Sequence, residues 1–276
     1  MKKFLALLLA LSMVFCFAAC GGNEAPETTN PDSNETTVNN DAEKTVVAGY
    51  TIYEPMNYLD ENGKLVGYDT ELAEKVFGNL GYKVIFQEIE WSSKYTDLDS
   101  GTIDCVWNGF TCNTADDDGI LRSEKVDFSY NYMENRQVVV VKADAAVETA
   151  ADLNGKFGVA ESGSAGEAYA KGFEGTMFKG FIKQTECLTE IKAGTADFAV
   201  VDAQLAKSYV GKGDYADLKV VDTLSSDVEY YGIGFKKGNT ELRDKVQATL
   251  NEMVADGTFG KIAKEWGLQD SVCLGK

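Results

Sequence analysis

The sequence predicts an α/β protein of open, mainly parallel sheets arranged in two lobes, and three observations carry that prediction. Strand-like and helix-like segments alternate through the first half of the folded chain, with glycines closing the helices, which is the order of an open sheet. A short unit then returns, because Gly101-Thr102-Ile103-Asp104-Cys105-Val106 is echoed by Gly194-Thr195-Ala196-Asp197-Phe198-Ala199. Two copies of one α/β unit suggest two lobes whose strand ends face a shared crevice, where open sheets take ligands. Finally, 276 residues of ordinary apolar content can bury one large core or two smaller ones.

The elements follow in order. Thr45 to Gly49 reads as a strand, and Pro55 stops pairing in the loop after it. Asp60 to Lys64 makes a hairpin-like turn. Asp69 is expected to cap a helix lined by Leu72, Ala73, Val76, Phe77 and Leu80 and ended by Gly81. Lys83 to Glu88 is the next strand, and Trp91 to Leu98 a short helix. The apolar run Ile103 to Trp107 reads as a buried strand that runs out at Asn108-Gly109. The all-branched run from Gln137 to Val141 and the stretch Lys156 to Ala160 are further strands. Ser162 to Gly166 opens a helix, either as a plain cap or as a turn that offers backbone N–H groups to an anion. The second repeat unit ends in a strand at Val201-Asp202. Strand Tyr230 to Phe235 and helices from Thr240 to about Ala255 and up to Trp266-Gly267 complete the chain, with Leu242, Val246, Leu250 and Val254 at core spacing.

Chemistry concentrates in Ser100 to Ser129. Asn108, Gly109 and Thr111 put backbone and hydroxyl groups where a strand opens towards a ligand, and Arg122 supplies a fork of donors suited to a carboxylate. The segment therefore reads as a grip for the carboxylate of a small zwitterion. Asp202, an acid ending an apolar strand, is costly to leave unpaired in a closed cleft. On spacing alone Tyr53 and Trp91 read equally as core or as a ring cage. Asp116 to Asp118 resembles part of a calcium loop but lacks the closing Glu, and reads as a solvated acidic turn.

Composition excludes several classes. With 26 basic against 44 acidic residues, the surface is unsuited to nucleic acid. With no histidine, Ser-His-Asp catalysis and His-based zinc sites are ruled out. Cys105, Cys112, Cys187 and Cys273 lack metal or redox spacing, so neither a metal site nor a cofactor is expected, and a Cys105–Cys112 disulfide stays open.

Residues 1–19 read as an export signal, with Lys2 and Lys3 before an apolar run too short for a comfortable span. Phe17-Ala18-Ala19-Cys20-Gly21 resembles a bacterial lipoprotein box, departing at Phe17, which implies that Cys20 is lipidated. Residues 20–43 are then a polar leash spanning roughly 25 Å root-mean-square.

The segments NGKLVGYDTELAEKV, SGTIDCVWNGFT, KVDFS, AGTADFAVVD, EYYGIGFKKGNTEL and MVADGTFGKIAKEWG occur in an order that resembles the bacterial extracellular solute-binding proteins, family 3, over about Thr45 to Leu268. The resemblance implies a two-lobed periplasmic-binding-protein-like (type II) fold, two open sheets flanked by helices and two hinge strands. It implies that 44–134 plus 231–276 form lobe 1 and 135–230 lobe 2, with crossings near Glu134 to Val138 and Val228 to Gly232. The function it implies is capture of a free, polar L-amino acid for an ABC importer permease, by a monomer tethered to a bacterial membrane through its N-terminal lipid.

Carried across residue by residue, the resemblance makes Tyr53 the ring that stacks on the ligand and Trp91 the facing ring. Asn108, Gly109 and Thr111 become the strand-end binders, Ser164 and Ala165 the helix-start pair that receives the carboxylate, and Asp202 the acid that takes the ammonium. The arginine departs from the pattern: the family position falls on Asp116, and an insertion of about six residues moves the role to Arg122. Where relatives often place an acid for cationic side chains this chain has Tyr50, which disfavours arginine or lysine unless Glu54 reverses it. Dehydratases acting on cyclohexadienyl amino acids share the pattern, and there Glu161, Glu90 or Asp116 would serve as the acid. A sensor module is the third alternative.

Overall fold

A computed structural model describes residues 44–274. The export signal, Cys20 and the leash lie outside the described residues. The first part of the chain gives β1 (Lys44–Tyr50), the hairpin β2 (Tyr58–Leu59) and β3 (Leu65–Val66), α1 (Tyr68–Asn79), β4 (Tyr82–Glu88), α2 (Lys94–Ser100), β5 (Cys105–Thr111), α3 (Arg122–Lys125), β6 (Val126–Phe128) and β7 (Met133–Asn135). The second sheet is built from β8 (Gln137–Lys142), β9 (Phe157–Glu161), α4 (Ala165–Lys171), β10 (Met177–Phe181), α5 (Gln184–Ala193), β11 (Phe198–Asp202), α6 (Ala203–Tyr209) and β12 (Leu218–Ser225). The chain then returns to the first sheet through β13 (Glu229–Lys236), followed by α7 (Thr240–Ala255) and α8 (Thr258–Glu265).

The sheets run β4-β1-β5-β13-β6, with β7 also on β13, and β10-β9-β11-β8-β12. Both are mainly parallel in strand direction, as expected. In each a single strand runs against the rest, β13 in the first sheet and β8 in the second. The reversed β13 arrives by long-range return of the chain, which local patterning does not record. One consequence is that β5 does not run out at Asn108-Gly109. It continues to Thr111 because Tyr231 of β13 pairs with it there.

The internal repeat is structural as well. Asp104 donates its N–H to the Val47 carbonyl (2.8 Å) and accepts the Val47 N–H on its carboxylate (2.8 Å). Asp197 does the same with Phe157, at 2.8 and 2.8 Å. In both sheets an aspartate therefore clamps the central parallel strand to its neighbour before the pairing begins.

Buried strands split their side chains between two faces with a period of two. Val138 and Val140 of β8 join the large core shared with α5 and α7, while Val139 and Val141 pack with Leu153 and Phe198 on the opposite face. In α7 the fully buried positions are Val246 and Leu250, with Leu242 and Val254 partly covered. Asp69 does not cap α1, since the cap position is Gly67. It lies buried and accepts hydrogen bonds from Gly109 N–H and Tyr132 Oη, both at 2.9 Å. Cys105 and Cys112 form no disulfide; they and Cys187 are free thiols, with Cys105 and Cys187 fully buried.

The crossings between the sheets run side by side. β7 pairs antiparallel with β13 through Glu229↔Asn135, Tyr230↔Glu134 and Tyr231↔Met133.

Candidate functional site

One narrow cavity sits where strands from both sheets end. Tyr53, Trp91, Asn108, Gly109, Thr111 and Arg122 line it from the first sheet's side, and Ser164, Ala165 and Asp202 from the second. All nine residues singled out from the sequence thus meet in one place. Gln137, Glu161 and Gln184 complete the wall.

Arg122 is 1% exposed, so it is no surface residue. Its Nε donates to Asp116 Oδ1 at 2.8 Å, Nη1 to the Thr111 carbonyl at 3.3 Å and Nη2 to the Gly163 carbonyl at 3.2 Å. The fork is therefore fixed in plane, with Phe110 beneath it at 5.5 Å from the ring centre. Asp116 is no solvated turn residue. Burial raises its pKa, but Arg122, Lys125 and Tyr95 together pull it down to about 2. Its neighbours are also spoken for, Asp117 by Lys171 and Asp118 by Lys125. Among the described residues no cluster fits a metal ion.

Lys94, buried under the rings of Trp91 and Tyr95, donates to the carbonyls of Trp91 (3.3 Å) and Gly163 (3.0 Å). Burial, and then the Arg122 charge, lower its pKa to about 7. Gly163 thus receives two cations from the other sheet's side. Its φ is +73°, and a Cβ there would stand 3.1 Å from the Ser92 backbone, so only glycine allows this approach.

The opposite end is acidic. Asp202 ends β11, and its Oδ1 accepts from Asn135, from Gln137 Nε2 (2.7 Å) and from Tyr231 Oη (3.0 Å), while Oδ2 accepts from Gln184. Burial raises its pKa and these four neutral donors hold it down. Glu229 lies behind, accepting from Thr111 Oγ1 (3.2 Å) and Gln137 (2.9 Å). Its pKa is pushed up to about 7 by burial and by Asp202.

Between the ends, Tyr53 and Tyr231 share a hydrogen bond at 2.7 Å and pack edge to face. Gly109, at φ +60°, leaves room for both, since a Cβ there would be 2.7 Å from the Tyr53 ring. Asn108 spends its whole amide on Thr51 and Asn57, so only its backbone is left for the cavity. Ser164 caps α4 by accepting from Glu167 N–H, which puts Ala165 at the first helical position. Tyr50 and Glu54 do not line the cavity, Tyr50 packing edge-on against Phe86.

The model of the bacterial extracellular solute-binding proteins, family 3, matches residues 45–269. The chain belongs to that family. A relative in it, the L-cystine-binding protein TcyA of Bacillus subtilis, is 31% identical over 98% of this chain and 99% of its own length. The arginine-binding extracellular protein ArtP of the same bacterium is 29% identical over 96% of this chain and 98% of its own. Among solved family structures, an ancestral arginine-binding protein bound to arginine superposes with a TM-score of 0.73 at 35% identity, covering 81% of this chain and 98% of that one. A Streptococcus pneumoniae ABC uptake transporter substrate-binding protein with bound histidine has a TM-score of 0.73 at 30% identity, covering 83% and 94%. The family explains the two-sheet architecture with paired crossings. Gln137, Gln184 and Glu161 were not assigned binding roles from the sequence, although Glu161 ends an apolar strand just as Asp202 does.

Proposed function

We propose that this chain captures a free L-amino acid in the cavity and delivers it to the permease of an ABC importer. What carries the proposal is the convergence, from different sheets, of a fixed guanidinium and an amide-held carboxylate on one buried space. Arg122 takes the ligand carboxylate together with the strand-end and Ser164-Ala165 backbone groups. Asp202, whose Oδ2 accepts only one bond, takes the ammonium, and Tyr53 and Trp91 supply the ring walls. Charge-assisted hydrogen bonds are worth about 1.5–3 kcal/mol each. Two such ends with ring contacts are enough for a micromolar constant, about −8 kcal/mol.

In this reading residues 44–134 with 231–276 form one lobe and 135–230 the other, and they close over the guest about the paired crossings. Residues 1–19 direct export, and lipid on Cys20 holds the monomer at the membrane, so Cys20→Ala should free it into the medium. The protein is a carrier and not an enzyme, and incubation with arogenate should yield no product. Isothermal calorimetry across the amino acids, with cystine, arginine and histidine included, should find micromolar binding. No heat from any of them would end the proposal.

A further inference from the structure

We propose that Glu161 selects the ligand's side chain, and that the side chain it selects carries a protonated nitrogen. The inference rests on the amino-acid reading above and adds a third point of contact to its two. Glu161 ends β9, one strand from Asp202, and is 3% exposed in the cavity wall. Its Oε1 has no hydrogen-bond partner among the described residues. The other charged groups of the cavity are engaged: Arg122 by Asp116 and two carbonyls, Asp202 by four donors. A buried carboxylate oxygen left without a donor is unfavourable, and the residue that carries it lines the cavity.

The neighbours of Glu161 do not supply the missing charge. Lys94, the cation whose charge acts on it, directs its Nζ to the carbonyls of Trp91 and Gly163 and forms no ion pair with it. Asp202 and Glu186 add negative charge, Cys187 is a buried thiol and Gln184 a neutral amide. Burial first, then Asp202, push the Glu161 pKa up to about 8, against the pull of Lys94 and Gln184. Near neutrality the empty site therefore holds Glu161 largely protonated. A guest whose α-ammonium lies on Asp202 and whose side chain brings a second positive charge would ionise Glu161 and expel its proton, whereas a neutral guest leaves the proton in place.

The test is calorimetry on the full chain with L-arginine, L-lysine and L-glutamine, in phosphate and in Tris at pH 7, for wild type and Glu161→Gln. We expect arginine or lysine to bind more tightly than glutamine and to release close to one proton, read from the difference in heat between buffers. Glu161→Gln should weaken the cationic ligand about 10- to 100-fold, at least ten times more than it weakens glutamine, and should abolish the proton release. Two outcomes overturn the proposal: neutral amino acids preferred with no proton released, or an equal loss for all ligands, which would assign Glu161 to the shared head group or to the fold. Failure of every amino acid to bind wild type overturns the carrier reading itself, a distinguishable result.

Discussion

At one end of the cavity a cation is oriented by a carboxylate, and at the other a carboxylate is oriented by uncharged amides and a phenol. Arg122 keeps its plane through Asp116, so much of its charge is already neutralised before a ligand arrives. Asp202 has four hydrogen bonds but no cation among its partners, so whatever charge it carries is unbalanced. The difference teaches where affinity and where geometry reside: the acidic end supplies unbalanced charge in a low-dielectric space, and the basic end supplies a rigid template.

Replacing Asp202 attacks the unbalanced charge, so Asp202→Asn should cause the largest loss. It removes the counter-charge and faces the new amide with the donors of Asn135, Gln137 and Tyr231. Amino-acid affinity should fall by more than about 100-fold in calorimetry, and a loss under tenfold would move the ammonium elsewhere. At the template end, Arg122→Lys keeps the charge and loses the fork. A fall of about 10- to 30-fold is expected in the same titration, on the order of 1.4–2 kcal/mol. An unchanged constant would reduce Arg122 to a point charge.

Closure between the ends is probed by Gly163→Ala, which brings a Cβ to 3.1 Å from the Ser92 backbone at a left-handed φ. The left-handed backbone costs about 1–2 kcal/mol in any folded form and should lower the melting temperature by a few degrees, and the Ser92 contact should add a further loss of affinity of about 5-fold; an unchanged affinity would show that Gly163 does not meet Ser92 in the ligand-bound form. A further test is the effect of pH on the unliganded protein. Burial raises Glu229 to about 7, Asp69 to about 7 and, with Asp202, Glu161 to about 8. A carboxyl whose folded pKa is raised favours the folded state below its ordinary value and loses that contribution as pH rises through the folded one. Lys94, lowered to about 7 by burial, acts the other way only above that pH. Stability should therefore decline from pH 5 to 7, read as a falling melting temperature; a rise over that window would contradict the buried protonated acids.

Much of this was legible in the residues. The repeat Gly101 to Val106 and Gly194 to Ala199 announced two sheets, because the aspartate in each copy has the same local task of clamping neighbouring strands. Arg122, Asp202 and the Asn108-Gly109-Thr111 run stood out because polar groups at strand ends need partners. Less legible were side chains whose partners lie far along the chain. Asp69 looked like a helix cap and instead holds Gly109 from 40 residues away. Gln137 reads only as the start of a strand and also bridges Asp202 and Glu229. Asp116 looked solvated until Arg122 and Lys125 folded over it. The reversed direction of β13 escaped notice for the same reason, since it joins the first sheet only after the second is complete.

The paired crossings have a last consequence. Asn135 and Glu229 face each other in the β7–β13 ladder; Asn135 donates to Asp202, Gln137, two residues on, donates to both acids, and Tyr231 of β13 donates to Asp202. The crossings are therefore hydrogen-bonded directly to the carboxylate that, in the proposed reading, meets the ammonium. In that reading a change of charge at Asp202 would be felt at once by Asn135, Gln137 and Tyr231, coupling cargo to the fulcrum.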